Sequence, residues 1–167
     1  LAVMLSVVND FPDHQFVIAG APSQEFSFYQ KFITQENIKF ISNKTYDLLR
    51  NATAALVTSG TATLETALFK VPEVVCYKGS WASYQIAKRI ITLKYISLVN
   101  LIMDKEVVKE LIQEELNTKN LKLELNKLLN SESRSILLNN YTDLKQKLGG
   151  EGASKKTAEL IVNSFKK

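Results

Sequence analysis

"AALVTSGTATLETALFKVPEVVCYKG", residues 54–79, decides how this chain folds. Ala54 to Ser59 is an apolar run that stops at Gly60, and a helical stretch from Thr61 to Lys70 follows. "PEVVCYK" (Pro72 to Lys78) is a second apolar run closed by Gly79. Strand, glycine turn, helix and strand in this order form a βαβ unit, whose crossover helix makes the two strands parallel.

Outward from this unit the pattern repeats. "HQFVIAG" (His14 to Gly20) ends in glycine and is followed by Ala-Pro-Ser, with Ser23 placed to cap a helix through Ile33. "IKFIS" (Ile38 to Ser42) precedes a helix starting near Asn43 or Lys44. After Gly79 a helix is expected from Ser80 to Leu93, then a strand "YISLV" (Tyr95 to Val99), then a helix from Asp104 to Glu115. Five strand candidates, each followed by a helix, predict an α/β fold with a Rossmann-like, mostly parallel sheet covered by helices on both faces. From Thr118 onward only helix is expected, broken near Asn130 to Ser133 and at "GGEG" (Gly149 to Gly152). Residues 1–167 read as one domain, with about 118–167 as a helical C-terminal extension.

In sheets of this kind ligands sit outside the carboxyl ends of the strands. The residues to inspect are therefore Ala21 to Ser23, Ser42 to Thr45, Ser59 to Thr63, Lys78 to Ser80, and Asn100. The Ser59-Gly60-Thr61-Ala62-Thr63 turn stands out. A helix start leaves backbone N–H groups unpaired and carries partial positive charge, which suits a phosphate. Gly60 permits close approach or a positive φ, and Ser59, Thr61 and Thr63 add hydroxyls. The competing reading is a plain helix start with glycine in a tight turn. Glu65 can accept bonds from two vicinal hydroxyls, as a ribose offers, or merely complement the helix dipole. The P-loop pattern and the G-x-G-x-x-G fingerprint are both missing.

Charge and composition narrow the partners. The chain is 46% hydrophobic and 23% charged, ordinary for a globular protein, and its apolar runs are too short to span a membrane. Its net charge of +4 is concentrated: between Glu73 and Asp104 there is no acidic residue, while Lys78, Lys88, Arg89 and Lys94 fall there. Such a window suits phosphate or an anionic membrane, with Trp81, Tyr84 and Tyr95 nearby as interfacial aromatics. An exposed lysine at a strand end is equally often just solvated, and Ile86, Ile90 and Leu93 share a face that packs on the sheet. No nucleic-acid motif accompanies the window. Cys76, the single cysteine, reads as a buried inert thiol, and His14, the single histidine, opens a strand. No set of residues at metal-ligand spacing is present. The chain begins "LAVMLSVV", which reads as the inside of a helix, so the expectation is a piece of a longer protein whose first side chains pack on the sheet.

"TSGTATLETALFKVPEVVCYK", followed by "AKRIITLKYISLVNLIMDKEVVKELIQEE", resembles the C-terminal half of lipid-A-disaccharide synthase, a two-domain glycosyltransferase of the GT-B type. "FVIAGAPS" upstream and "LGGEGASKKTAELI" downstream are similar to the same family. The resemblance implies transfer of a diacylglucosamine from UDP-2,3-diacylglucosamine to lipid X, giving the lipid A disaccharide phosphate and UDP. It implies no cofactor and no metal. By motif match Ser59, Gly60, Thr61 and Thr63 would face the diphosphate and Glu65 the ribose. Asn100, Gln113 and Glu114 match positions near the cleft, and Ser42 and Asn43 lie where related enzymes contact uracil. Lys78, Lys88, Arg89 and Lys94 would meet phosphate or the anionic inner membrane of a Gram-negative bacterium, from its cytoplasmic side. The family's N-terminal acceptor domain, with its candidate catalytic carboxylate, has no counterpart here, so no catalytic residue is expected in this chain. A second copy of the chain is a candidate partner. Two other readings stay open: another UDP-N-acetylglucosamine transferase or UDP-sugar epimerase of this fold, and a non-catalytic module that binds membranes through the basic window.

Overall fold

The computed structural model describes residues 1–58, 60–80, 94–149 and 152–165. The expected helix from Ser80 to Leu93 lies outside the described residues beyond its first position.

Four of the five expected strands are present, within a residue or two of their predicted ends: β1 (Phe16–Gly20), β2 (Ile38–Ser42), β3 (Ala55–Thr58) and β4 (Glu73–Tyr77). Every strand pairing among the described residues is parallel. β1 pairs with β2, from Phe16 opposite Ile38 to Gly20 opposite Ser42. β3, β4 and β5 (Lys109–Ile112) form a second ladder in that order, with Thr58 opposite Cys76 and Tyr77 opposite Ile112. The five strands thus come as two ladders. The strand His14 was to open begins two residues later, and the His14 ring instead stands edge-on to Phe11 in the preceding turn.

The fifth strand is where sequence and structure differ. Tyr95 to Val99 is not a strand. Ser97 caps a helix, α5 (Leu98–Met103), by accepting from the Asn100 N–H, and Val99 and Asn100 are buried inside it. The predicted helix Asp104 to Glu115 is replaced by β5 and a 3-10 turn, Gln113–Glu115. "VVKELI" (Val107 to Ile112) spaces its apolar residues as a helix would, so periodicity alone misleads there. Tertiary pairing with β4 settles it.

The remaining helices are α1 (Ala2–Leu5), α2 (Phe26–Gln30), α3 (Thr45–Asn51), α4 (Thr61–Leu68), α6 (Thr118–Leu129), α7 (Ser131–Lys147) and α8 (Ala153–Ser164). α2 is shorter than predicted, starting at Phe26 rather than at a Ser23 cap. The predicted breaks after Thr118 are in place. Asn130 ends α6 and caps α7 by accepting from the Glu132 and Ser133 N–H groups, and Gly152 opens α8.

β4 is the centre of the molecule because successive side chains leave a strand on opposite faces. Val74 and Cys76 join Leu111, Val7 and Phe11 under Leu121 and Leu125 of α6. Val75 joins Val99, Val108 and Ala67 under Leu137, Tyr141 and Leu144 of α7. At about 1.5–3 kcal/mol for each large apolar side chain buried, these two clusters hold the ladder on both faces. A third cluster, Val8, Ile18, Tyr29 and Ile38, packs β1 and β2. Val3 and Met4 pack partly buried on the β4 cluster and Leu5 on the β1–β2 cluster. α8 keeps its described side chains exposed, Leu160, Ile161 and Val162 among them.

Candidate functional site

β3, β4 and β5 run parallel, so their carboxyl ends share one edge, and Gly60, Thr61, Lys78, Gln113 and Glu114 follow those ends. β3 ends at Thr58 and α4 begins at Thr61, with Gly60 as its cap at φ 131° and ψ −163°. That conformation is essentially restricted to glycine. A Cβ at Gly60 would meet nothing within 4 Å, so backbone torsion rather than crowding demands the glycine. Having no side chain, Gly60 leaves α4 without a side-chain cap, and the start of the helix faces outward at Gly60, Thr61 and Ala62, all exposed. Helix dipole and first-turn amides together present an anion-attracting surface. Ser59 lies outside the described residues.

The hydroxyls of this turn divide. Thr61 is exposed at the helix start, whereas Thr63 is fully buried and its Oγ1 donates to the Gly60 carbonyl at 2.8 Å. Thr63 therefore braces the turn from inside. Glu65 lies a turn further along α4 and is partly exposed. Lys78 and Gly79 follow β4 directly, so pairing of Thr58 with Cys76 sets the two turns side by side. Lys78 is exposed. Lys94 is exposed with its Nζ 5.0 Å from the centre of the Tyr95 ring, while Lys88 and Arg89 lie outside the described residues.

On β5 the chain turns at Gln113, which takes φ 52° and is buried. Its Oε1 accepts from the Gly79 N–H at 2.9 Å, linking the ends of β5 and β4 across the edge. Glu114, the next residue, is exposed. On the other ladder Ser42 ends β2, and Asn43 follows at φ 57°, both exposed at that ladder's carboxyl edge.

Asn100 is placed differently from the others. It is fully buried, and its amide is committed internally. Oδ1 accepts from the Val107 and Val108 N–H groups at 2.7 and 2.9 Å; Nδ2 donates to the Val108 carbonyl and to Glu110 at 2.8 and 2.9 Å. Glu110 is buried too, and its carboxylate also accepts from the Ile96 and Ser97 N–H groups, both at 2.9 Å. A carboxylate from β5 therefore occupies the amino end of α5, where a helix favours negative charge. Sequence reading passed over Glu110 because "KELI" resembles a helix surface. Its clue was an acidic residue whose same-face neighbours on a strand, Val108 and Ile112, are both apolar.

Two further buried groups stand apart from this edge. Burial pushes the Cys76 thiol up to about 12, which leaves it protonated and unreactive, as expected. Glu73 opens β4 at the opposite edge, fully buried, with neither carboxyl oxygen hydrogen-bonded among the described residues, and burial pushes it up to about 9. Burial and then the Glu73 carboxyl raise the nearby Tyr141 phenol. A cleft of about 320 Å³ between α1 and the segment before β2, lined by Leu5, Ser6, Asn9 and Phe32, lies beside the amino end of β2 and away from the candidate residues. Among the described residues no helix is long and apolar enough to cross a membrane.

A parallel α/β sheet with helices on both faces, and a glycine-capped helix at its carboxyl edge, define a Rossmann-like domain of the kind found in the C-terminal half of GT-B transferases. Residues 2–165 match the model of the lipid-A-disaccharide synthetase family, and the chain belongs to that family. It is 35% identical over 100 residues to the lipid-A-disaccharide synthase of Trichlorobacter lovleyi, covering 59% of this chain and 26% of that protein. To the synthases of Psychromonas ingrahamii and Haemophilus ducreyi it is 39% identical over 99 and 104 residues, with the same coverage. The chain spans about a quarter of the length of the curated relatives it matches.

Proposed function

We propose that this chain is the donor-holding part of a lipid-A-disaccharide synthase. Acting within a longer protein, it binds UDP-2,3-diacylglucosamine while the diacylglucosamine passes to lipid X, releasing UDP and the lipid A disaccharide phosphate. The catalytic carboxylate and the acceptor site belong to a domain outside these residues. The observation that carries the reading is the glycine-capped start of α4 at the carboxyl edge. Its amides and dipole suit the diphosphate, Thr61 adds a hydroxyl, and Glu65 accepts from the ribose. Gln113 and Glu114 border the sugar side, with Ser42 and Asn43 as the uracil-facing pair. Thr63 and Asn100 support the site from within, since their polar atoms are already engaged.

Family membership supports the substrate assignment, and the exposed Lys78 and Lys94 support docking of a cytoplasmic enzyme on an anionic inner-membrane surface, joined by Lys88 and Arg89. Titration calorimetry with UDP on the full-length enzyme tests the site. Hydrogen bonds to charged groups contribute about 1.5–3 kcal/mol each, so Glu65→Ala should weaken UDP binding roughly tenfold to a hundredfold. Glu65→Gln keeps the size and one acceptor and should lose less. A folded Glu65→Ala variant that binds UDP as the parent does would remove Glu65 from the site.

A further inference from the structure

Gln113 and Glu110 lie three residues apart, and each reaches from β5 or its continuation to backbone amides elsewhere. Gln113 holds the Gly79 N–H, two residues past the end of β4. Glu110 holds the Ile96 and Ser97 N–H groups, just before α5. Gly79 and Ile96 bracket residues 80–95, the stretch that carries Lys88, Arg89 and Lys94. One strand therefore grips the chain both where that stretch leaves the ladder and where it returns. Both grips use backbone donors and buried acceptors. Asn100 ties its own amide to Glu110, which keeps the carboxylate aimed at the returning chain.

We propose that Gln113 and Glu110 are positioning residues of the donor site. Gln113 fixes the Lys78–Gly79 turn beside Gly60, and Glu110 fixes the start of α5, whose Val99 shares a cluster with Ala67 of α4. This role rests on the donor-site reading above. Gln113 acts through Gly79, with its side-chain oxygen as the working atom and its amide nitrogen dispensable.

Three variants of the full-length enzyme separate this from a direct contact or a purely structural role. Gln113→Leu removes the acceptor at similar size and is expected to raise the donor KM about tenfold. Its kcat should stay within about threefold of the parent, the split expected when ground-state placement is lost. Gln113→Glu retains an acceptor for Gly79 and should recover most of the loss. Were the amide nitrogen donating to the sugar nucleotide, Gln113→Glu would be as poor as Gln113→Leu, and that result overturns the proposal. So does a Gln113→Leu enzyme with the parental donor KM. Glu110→Gln turns one acceptor into a donor facing N–H groups and should raise the donor KM alongside a lower melting temperature. A lower melting temperature with unchanged KM overturns the part assigned to Glu110. A parent enzyme with no affinity for UDP overturns the donor-site reading itself, whereas an active parent indifferent to Gln113→Leu overturns only the positioning role.

Discussion

Gly60 lies where only a glycine rests comfortably, yet nothing crowds it. The two facts separate torsional strain from steric exclusion. Gly60→Ala adds a methyl group that touches nothing, so its whole effect comes from φ, and strain of this type costs about 1–3 kcal/mol. The turn can relieve it only by moving the start of α4. We expect Gly60→Ala to lower the melting temperature and weaken UDP binding together, with Gly60→Val worse on both counts because a β-branched residue is stiffer. Calorimetry and thermal melts on the same samples check this; an alanine variant with parental values in both would show that the backbone there is free to relax. Three of the residues singled out from the sequence, Gly60, Asn43 and Gln113, have positive φ at strand ends. Gly60 was legible because glycine advertises this freedom. Asn43 and Gln113 were not: Asn43 was expected at a helix start, although asparagine tolerates a left-handed turn, nothing about a glutamine signals one, and both were singled out by family likeness.

Among the elements, the segment from Tyr95 to Glu115 shows where sequence reading stopped. β1 to β4 and α4 were legible because apolar runs ended in glycine, proline or hydroxyl residues, punctuation that both a local and a tertiary argument share. In the later segment the organising residues are polar and buried. Ser97, Asn100 and Glu110 form a closed network that converts an apparent strand into a cap and helix, and an apparent helix into β5. Patterns of hydrophobicity contain no trace of such a network. Replacing Asn100 by alanine would take the acceptor from the Val107 and Val108 N–H groups and a donor from the Val108 carbonyl, while Glu110 keeps its Ile96 and Ser97 donors; each unsatisfied buried group costs about 1–3 kcal/mol. The expected loss of stability is therefore about 3 kcal/mol or more, read as a lower urea midpoint. Asn100→Asp should be at least as damaging at neutral pH, since it sets a second carboxylate against Glu110, and it should improve on mild acidification. An alanine variant within about 1 kcal/mol of the parent would mean that water replaces the amide.

For the molecule as a whole, pH reaches the core through Glu73. Its folded pKa of about 9 lies above the ordinary value of 4.5, so the folded chain keeps a proton that the unfolded chain releases. The stability this confers is complete below about pH 4.5, declines as pH rises toward 9 by at most about 1.4 kcal/mol per unit, and is flat beyond. Glu73→Gln has no proton to lose. The difference between parent and variant unfolding free energies, measured from pH 5 to 9, should therefore slope steadily against the parent. A flat difference would mean that Glu73 is ionised in the fold. Beside it, β4 has another property: its fourth residue is the chain's single cysteine, 3% exposed and packed in the cluster under α6. No fraying of α8 uncovers that sulfur; the cluster under α6 has to open. A thiol-modifying reagent thus times the opening of the core, one label per molecule. Added UDP should slow that clock, since a ligand that binds only the folded form keeps it closed.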